Sequence, residues 1–373
     1  MTRRALVLSG SLGMGHDVMA EACSISLRRR DWTTDTVDSL TLMGGAAGGW
    51  GERVFRGLLS VPGLYDAFHF QQLRPGGRLA ALAERSSSRY AVPALTAELD
   101  RCGADLVVSV FATGAAAASR VKADAMPGLR TVTFCTDVNP HSLWVHPNTD
   151  LYLVTSRTAA AFVRRFHPHA TVEMVPAPVR PSFYSAPSRA LARAQLGLPA
   201  AEPCVLLMAG AWALGPLVDI AGALATAGVR TLAVAGRNAA TEAALRELAR
   251  VQERVTPFGF TDLVPTLMAA SDAVITTSGD TCSEARVVGR HVILLDSVPG
   301  HGRENLQHEL ERGDADVVPT EPAALVRGVQ AVLERLSGRP ERPTATADAW
   351  EQCIDTALTR LGLGDVEGTG AVR

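Results

Sequence analysis

The chain is predicted to be an α/β protein built from two doubly wound parallel sheets, and three observations lead there. Short apolar runs bounded by turn residues alternate with longer helical patterns throughout, as in successive βαβ units. A proline-rich connector, Val175-Pro176-Ala177-Pro178-Val179-Arg180-Pro181, interrupts that alternation near the middle of the 373 residues. Hydrophobic residues make up 47% of the chain and charged ones 20%, so there is apolar surface for two cores.

In the first half, strands are expected at 5–9, 34–38, 105–110, 131–135, 151–154 and 172–175. In the second half they are expected at 204–209, 230–235, 254–258, 273–276, 292–295 and 316–318. The prolines of the connector stiffen it and mark a boundary. Residues 1–177 then form an N-terminal domain and 178–345 a C-terminal one; a last helix at 346–363 can cross back, and 364–373 form a flexible tail. Two such domains whose sheets meet at their C-terminal edges would hold ligands in the cleft between them.

Composition narrows the function classes. No run of about twenty apolar residues spans a membrane, and the N-terminus lacks a secretory pattern, so a cytoplasmic protein is expected. The six cysteines are scattered without C-x-x-C spacing, which favours reduced structural thiols over a zinc knuckle or disulfide framework. A single lysine, Lys122, stands against 35 arginines, a codon bias and no nucleic-acid signature. Residues 1–180 carry 19 basic and 15 acidic side chains (+4), and the rest 17 and 23 (−6). The basic first half fits an anionic acceptor or lipid surface, or ordinary scatter. Residues 41–75 break the α/β rhythm. Trp50 leads into an apolar face (Val54, Phe55, Leu58, Phe68) flanked by Arg53, Arg56 and Arg74, suited to a membrane interface, an acceptor tunnel or a core helix.

Ser9-Gly10-Ser11-Leu12-Gly13-Met14-Gly15-His16 follows the first strand and opens a helix, with glycines that let backbone approach a ligand. Its G-x-x-G-x-G spacing is a poor dinucleotide fingerprint, although Asp35 and Asp38 stand where a ribose-binding acid of a dehydrogenase would. Asp137 ends a buried strand, where a carboxylate can orient a histidine or bind an acceptor hydroxyl. His141 and Trp144 can shape an acceptor floor, and Asp150 caps the next strand. Cys204 to Gly215 is a strand, a glycine turn at Gly210 and a helix; Gly236-Arg237-Asn238 follows the next strand and could offer a cation.

Between Val274 and Ala315 a strand, small-residue turn and helix start occurs twice in succession. Unpaired N–H groups and the helix dipole make each helix start a candidate anion site. Glu284, one turn into the first helix, could take two ribose hydroxyls while the N–H groups at Ser278-Gly279-Asp280-Thr281 hold a diphosphate. An ordinary αβ unit with Glu284 solvated fits the pattern equally. Asp314-Ala315-Asp316 has the form of loop chemistry, and no His/Cys/carboxylate cluster has metal spacing.

These segments resemble the GT-B glycosyltransferases related to MurG, the diacylglycerol glucosyltransferases and the monogalactosyldiacylglycerol synthases, a GT28-like group. Gly259-Phe260-Thr261-Asp262, Ser278 to Ala285 and Val298-Pro299-Gly300-His301-Gly302-Arg303-Glu304-Asn305 match that group's G-F/Y-x-D/E, G-G-x-T-x-x-E-A and P-x-P-G-Q-E-x-x-N patterns. Thr136 to Ser156 is similar to its T-D-F/Y-x-x-H-x-x-W-x-H-P-x-x-D-x-Y-x-V-x-S block, and Ser9 to His16 to its strand-S-x-G-x-G-H turn. The resemblance implies an inverting transfer of a hexose from a UDP-sugar to a lipid or natural-product hydroxyl, without metal or other cofactor. It implies His16 as catalytic base or its close partner, with Asp137 beside it, and an acceptor side at Gly15, Trp50, His141 and Trp144. It puts uracil near Phe260, ribose on Glu284, diphosphate over Gly279 to Thr281 with Gly210 nearby, and the donor sugar by His301 and Asn305. Imidazole suits a base at neutral pH. Two departures stand out: Asp280 replaces the group's second glycine, and His301-Gly302 replaces its Gln-Glu pair. A UDP-sugar epimerase on the same fold, and a non-catalytic UDP-sugar or lipid-binding relative, are the alternatives.

Overall fold

The computed structural model describes residues 3–10, 14–43, 90–138, 140, 142–208, 216–295 and 301–364. Two compact units divide it: residues 1–178 with 347–373, and residues 179–346.

The first unit holds six parallel strands: β1 (Arg4–Ser9), β2 (Thr33–Asp38), β3 (Leu106–Ser109), β4 (Arg130–Cys135), β5 (Leu151–Val154) and β6 (Val172–Met174). Their order across the sheet is β2-β1-β3-β4-β5-β6. Its helices are α1 (Met14–Arg28), α2 (Val92–Cys102), α3 (Ala112–Asp124), α4 (Arg157–Phe166) and, from the end of the chain, α13 (Asp348–Arg360). Strand side chains alternate between two helical layers, as the pleat requires. Ala5 and Val7 pack with Met19, Leu27, Trp350 and Leu358; Leu6 and Leu8 pack with Leu95, Leu99 and Val121. Polar contacts hold α13 on α1: Trp350 Nε1 donates to Ser26 Oγ at 2.8 Å, and Arg30 pairs with Glu351 and Asp355.

The second unit repeats the scheme with β7 (Cys204–Met208), β8 (Arg230–Val234), β9 (Val255–Phe258), β10 (Ala273–Thr276), β11 (His291–Leu295) and β12 (Ala315–Val318). Its order is β12-β11-β10-β7-β8-β9, again parallel. Val205, Leu207 and Ile275 face α7 (Leu217–Thr226), α8 (Ala239–Ala249) and α12 (Pro322–Leu336). Leu206, Met208 and Val274 face α5 (Pro181–Tyr184), α6 (Arg189–Gln195), α9 (Val264–Ala270), α10 (Asp280–Val287) and α11 (His301–Arg312). The two-sheet α/β class and all twelve expected strands are present, each within a residue or so of its expected bounds.

The strand order reverses between β1 and β3 in the first unit and between β7 and β10 in the second. Successive connections leave such a point in opposite directions, so a crevice opens at the strands' C-terminal ends. The residues at those ends are therefore the candidates for the site.

Candidate active site

In the first unit the crevice lies between the ends of β1 and β3. The sheet pairing continues past both strands, with Val110 N donating to Leu8 O at 2.9 Å and Ser39 N to Ser9 O at 2.9 Å. Gly10 follows β1, and a Cβ there would lie 2.3 Å from the Phe111 ring, so only glycine lets that ring pack against the turn. His16 stands in the first turn of α1, half-buried, with its ring edge-on to Phe111 at 4.8 Å. Its Nδ1 lies 2.9 Å from Val110 O. A carbonyl only accepts, so Nδ1 carries the proton and Nε2 keeps the lone pair. Ser9 Oγ donates to Asp17 Oδ1 at 2.6 Å and ties β1 to the same helix turn. Gly15 is half-buried beside His16.

The Thr136–Ser156 block serves mostly as bracing. Trp144, expected on an acceptor floor, is only 2% exposed and packs against Cys135, Tyr152 and Val154. Its indole Nε1 donates to Asp137 Oδ2 at 2.7 Å. A large apolar ring at the end of a buried strand gains more from burial than from lining a surface, and its N–H then needs an acceptor. Asp137 supplies it, while Val110 holds His16. Tyr152 OH accepts from His146 N and donates to His146 O, both at 2.8 Å. Asp150 accepts from Thr131 N at 2.8 Å and pairs with Lys122. Ser156 caps α4 through Ala159 N. Trp50, His141 and Gly210 lie outside the described residues, as does the 41–75 segment beyond Met43.

In the second unit Thr277, Ser278 and Gly279 lead from β10 into α10, which begins at Asp280. Gly279 is the N-cap, in extended backbone, and no side chain caps this helix start. A Cβ at Gly279 would meet nothing within 4 Å, so the backbone there stands in open space. Within this turn Cys282 N donates to Gly279 O at 3.0 Å, and a helix start of this kind carries the positive end of the dipole toward an anion. Asp280 is exposed in that turn, while Thr281 is buried. Thr276 Oγ1, at the end of β10, is buried without a hydrogen-bond partner.

Glu284 is 6% exposed, which rules out the solvated alternative. Burial is the first cause that pushes its carboxyl up to about 7, with Asp280 adding to the rise and Arg180 opposing it. Arg180 Nη2 donates to Glu284 Oε1 at 3.2 Å, and Oε2 carries no hydrogen bond among the described residues. The Arg180 guanidinium lies 5.0 Å from the Phe183 ring centroid, with Nε buried and unpartnered. Sequence reasoning named Arg180 only as part of the connector. Cys282, beneath the helix start, has its thiol pushed up to about 12 by burial and stays an inert packing group.

Phe260 follows β9 at the same sheet edge and is 56% exposed, with the Arg237 guanidinium 4.8 Å from its ring centroid. Arg237 follows β8, so the cation expected there stacks on Phe260. His301 opens α11 and Asn305, half-buried, sits one turn inside it. Asp314 and Asp316 are ion-pair residues: Asp314 binds Arg286, and Asp316, inside β12 and not in a loop, binds His291 and Arg335. Among the described residues no group of three or more His, Cys, Asp or Glu could hold a metal ion. None of the described helices is long and apolar enough to cross a membrane.

Known proteins resemble this chain in sequence and in fold. Residues 52–175 match the family described as Monogalactosyldiacylglycerol (MGDG) synthase. The chain is 29% identical over 193 residues to a processive diacylglycerol beta-glucosyltransferase of Bacillus pumilus, covering 50% of each chain. The chain thus spans about half the length of that relative. It is 28% identical over 349 residues, 88% of this chain and 73% of the other, to a probable monogalactosyldiacylglycerol synthase 2 of Oryza sativa subsp. indica. The MurG structure of Acinetobacter baumannii superposes with a TM-score of 0.60 at 13% identity, covering 96% of this chain and 100% of that one. The fold is GT-B, and the chain resembles the GT28-like glycosyltransferases.

Proposed function

We propose that this GT-B protein transfers a hexose from a UDP-sugar to a hydroxyl of a diacylglycerol-like lipid or a natural-product acceptor, with inversion. The observation that carries the proposal is the His16 imidazole at the switch point of the first sheet, held through Nδ1 by Val110 O, with no partner on Nε2 among the described residues. The relatives' names support a lipid acceptor, since they are diacylglycerol and monogalactosyldiacylglycerol enzymes.

The chemistry is a single displacement. The acceptor hydroxyl gives its proton to His16 Nε2 as its oxygen bonds to the anomeric carbon, and the bond from that carbon to the diphosphate breaks. UDP leaves with the electron pair, and its added charge is stabilised by the positive end of the helix dipole at the start of α10. Glu284 takes the ribose hydroxyls, with Arg180 steadying the ionised carboxylate. Phe260 and its stacked Arg237 border the base, and His301 and Asn305 meet the sugar. No metal enters the step. The reading places the protein in the cytoplasm, at the inner membrane face when the acceptor is a lipid, with residues 41–75 in contact.

The test is UDP release by the purified protein with a UDP-hexose panel and either diacylglycerol vesicles or a hydroxylated small acceptor. Release that requires acceptor supports transfer. A UDP-sugar that changes its own stereochemistry without acceptor supports an epimerase instead. UDP binding without turnover across the panel supports a binding protein.

A further inference from the structure

Arg193 and Arg290 are both buried arginines of the second unit, 2% and 8% exposed, and they are treated very differently. Arg193 donates to the backbone carbonyls of Ala270, Pro199, Ala200 and Glu202 and to Asp272 Oδ2, all within 3.1 Å. That is the usual condition of a buried guanidinium. Arg290 makes no comparably close hydrogen bond among the described residues. Its Nε is buried and unpartnered, and its nearest acid is Glu341 Oε2, 3.7 Å from Nη2. Leaving a buried cation this poorly satisfied costs free energy, so the group calls for a partner.

The surroundings supply room and positive charge. Arg290 lines a cavity of about 990 Å³ at the N-terminal edge of the second sheet, the edge opposite the start of α10. Arg189, Arg339 and Arg342 line it as well. Of the acids there, Asp272 is taken by Arg189 and Arg193 and Asp314 by Arg286, while Glu334 is exposed. Glu341 is 51% exposed and stands 3.9 Å from Arg189 and 3.7 Å from Arg290, within ion-pair range of both and hydrogen-bonded to neither. It belongs to a strap built to lie against this edge. Gly289, at φ +75, admits the Arg342 carbonyl where a Cβ would stand 2.4 Å from it, and Ala345 N donates to Val287 O at 2.7 Å.

We propose that this cavity is a second anion site, for a phosphate-class oxyanion held by Arg290 and Arg189, in which the Glu341 carboxylate is a displaceable internal competitor. A tetrahedral oxyanion between the two guanidiniums accepts the hydrogen bonds that Arg290 now lacks, as arginine forks do with phosphate. A free phosphate or diphosphate and a lipid phosphate headgroup share that chemistry. The site shares no residue with the sugar-nucleotide region and does not depend on the transfer reaction.

The experiment uses the full chain saturated with UDP, so that the nucleotide region is occupied. Pyrophosphate is titrated calorimetrically, and vesicles of phosphatidylglycerol or of phosphatidylcholine alone are sedimented with the protein. Glu341→Gln removes the competitor and should tighten the responsive ligand about tenfold. Arg290→Gln should abolish that binding while its melting transition and UDP affinity are kept. A pyrophosphate response assigns a free phosphate, and a phosphatidylglycerol response assigns a headgroup. Should Arg290→Gln fail to fold, the exposed Glu341→Gln decides alone. Affinity unchanged in Glu341→Gln, retained in Arg290→Gln, or absent for both probes overturns the proposal.

Discussion

Val110 presents its carbonyl oxygen to His16 Nδ1 at 2.9 Å, and this one bond fixes which imidazole nitrogen is basic. Replacing His16 with Gln keeps a hydrogen-bonding side chain of similar reach and removes the titratable nitrogen. Transfer should fall by about 10²- to 10⁴-fold, the usual contribution of a general base, while UDP affinity stays within about twofold. Single-turnover UDP release and a UDP titration on the same preparation measure both. Full activity in the variant would remove His16 from the chemistry.

Phe111 touches Gly10 so closely that the turn has no space for a methyl group. Gly10→Ala should therefore destabilise the protein by about 1–3 kcal/mol through overpacking. Pairing it with Phe111→Leu should recover part of that loss, and urea unfolding of the two single variants and the double gives the coupling. Strictly additive effects would mean that the close approach is absent in solution.

Trp144 and Asp137 make a prediction about stability. Trp144→Phe fills most of the same volume but leaves Asp137 Oδ2 without the indole N–H, at a cost of about 1–3 kcal/mol in unfolding free energy. An unchanged midpoint and slope in denaturant would show that this bond contributes nothing.

Glu284 carries a pH signature whose sign follows from its raised folded-state value of about 7, against an ordinary 4.5. Between these values the native protein binds more protons than the unfolded chain, so stability falls as pH rises from about 4.5 to about 7 and then levels. Glu284→Gln removes this dependence. Its melting temperature should gain on the wild type more at pH 8 than at pH 5. A gain independent of pH would mean the carboxyl titrates normally.

The two-sheet fold was legible because its signals are local and repeated. The central strands are short apolar runs such as Val205-Leu206-Leu207, buried on both faces and closed by turn residues. The helix starts that follow β1 and β10 were legible for the same reason. What escaped were partnerships across sequence distance. His16 and Val110 are 94 residues apart and joined through a backbone carbonyl, which no residue type announces. Arg180 and Glu284 are 104 apart, and only the folded chain shows that the carboxylate is buried and paired. The burial of Trp144 was not legible, because an aromatic beside histidines fits a binding floor as well as a core. The contrast between Arg193 and Arg290 was invisible for the same reason: identical residues, opposite environments.

The most direct measurement is a crystal structure of the protein soaked with UDP. The account predicts ribose hydroxyls on the Glu284 carboxylate and phosphate oxygens against the N–H groups of Gly279 to Thr281. A nucleotide bound elsewhere, with Glu284 still closed on Arg180 and no phosphate at the start of α10, would contradict it.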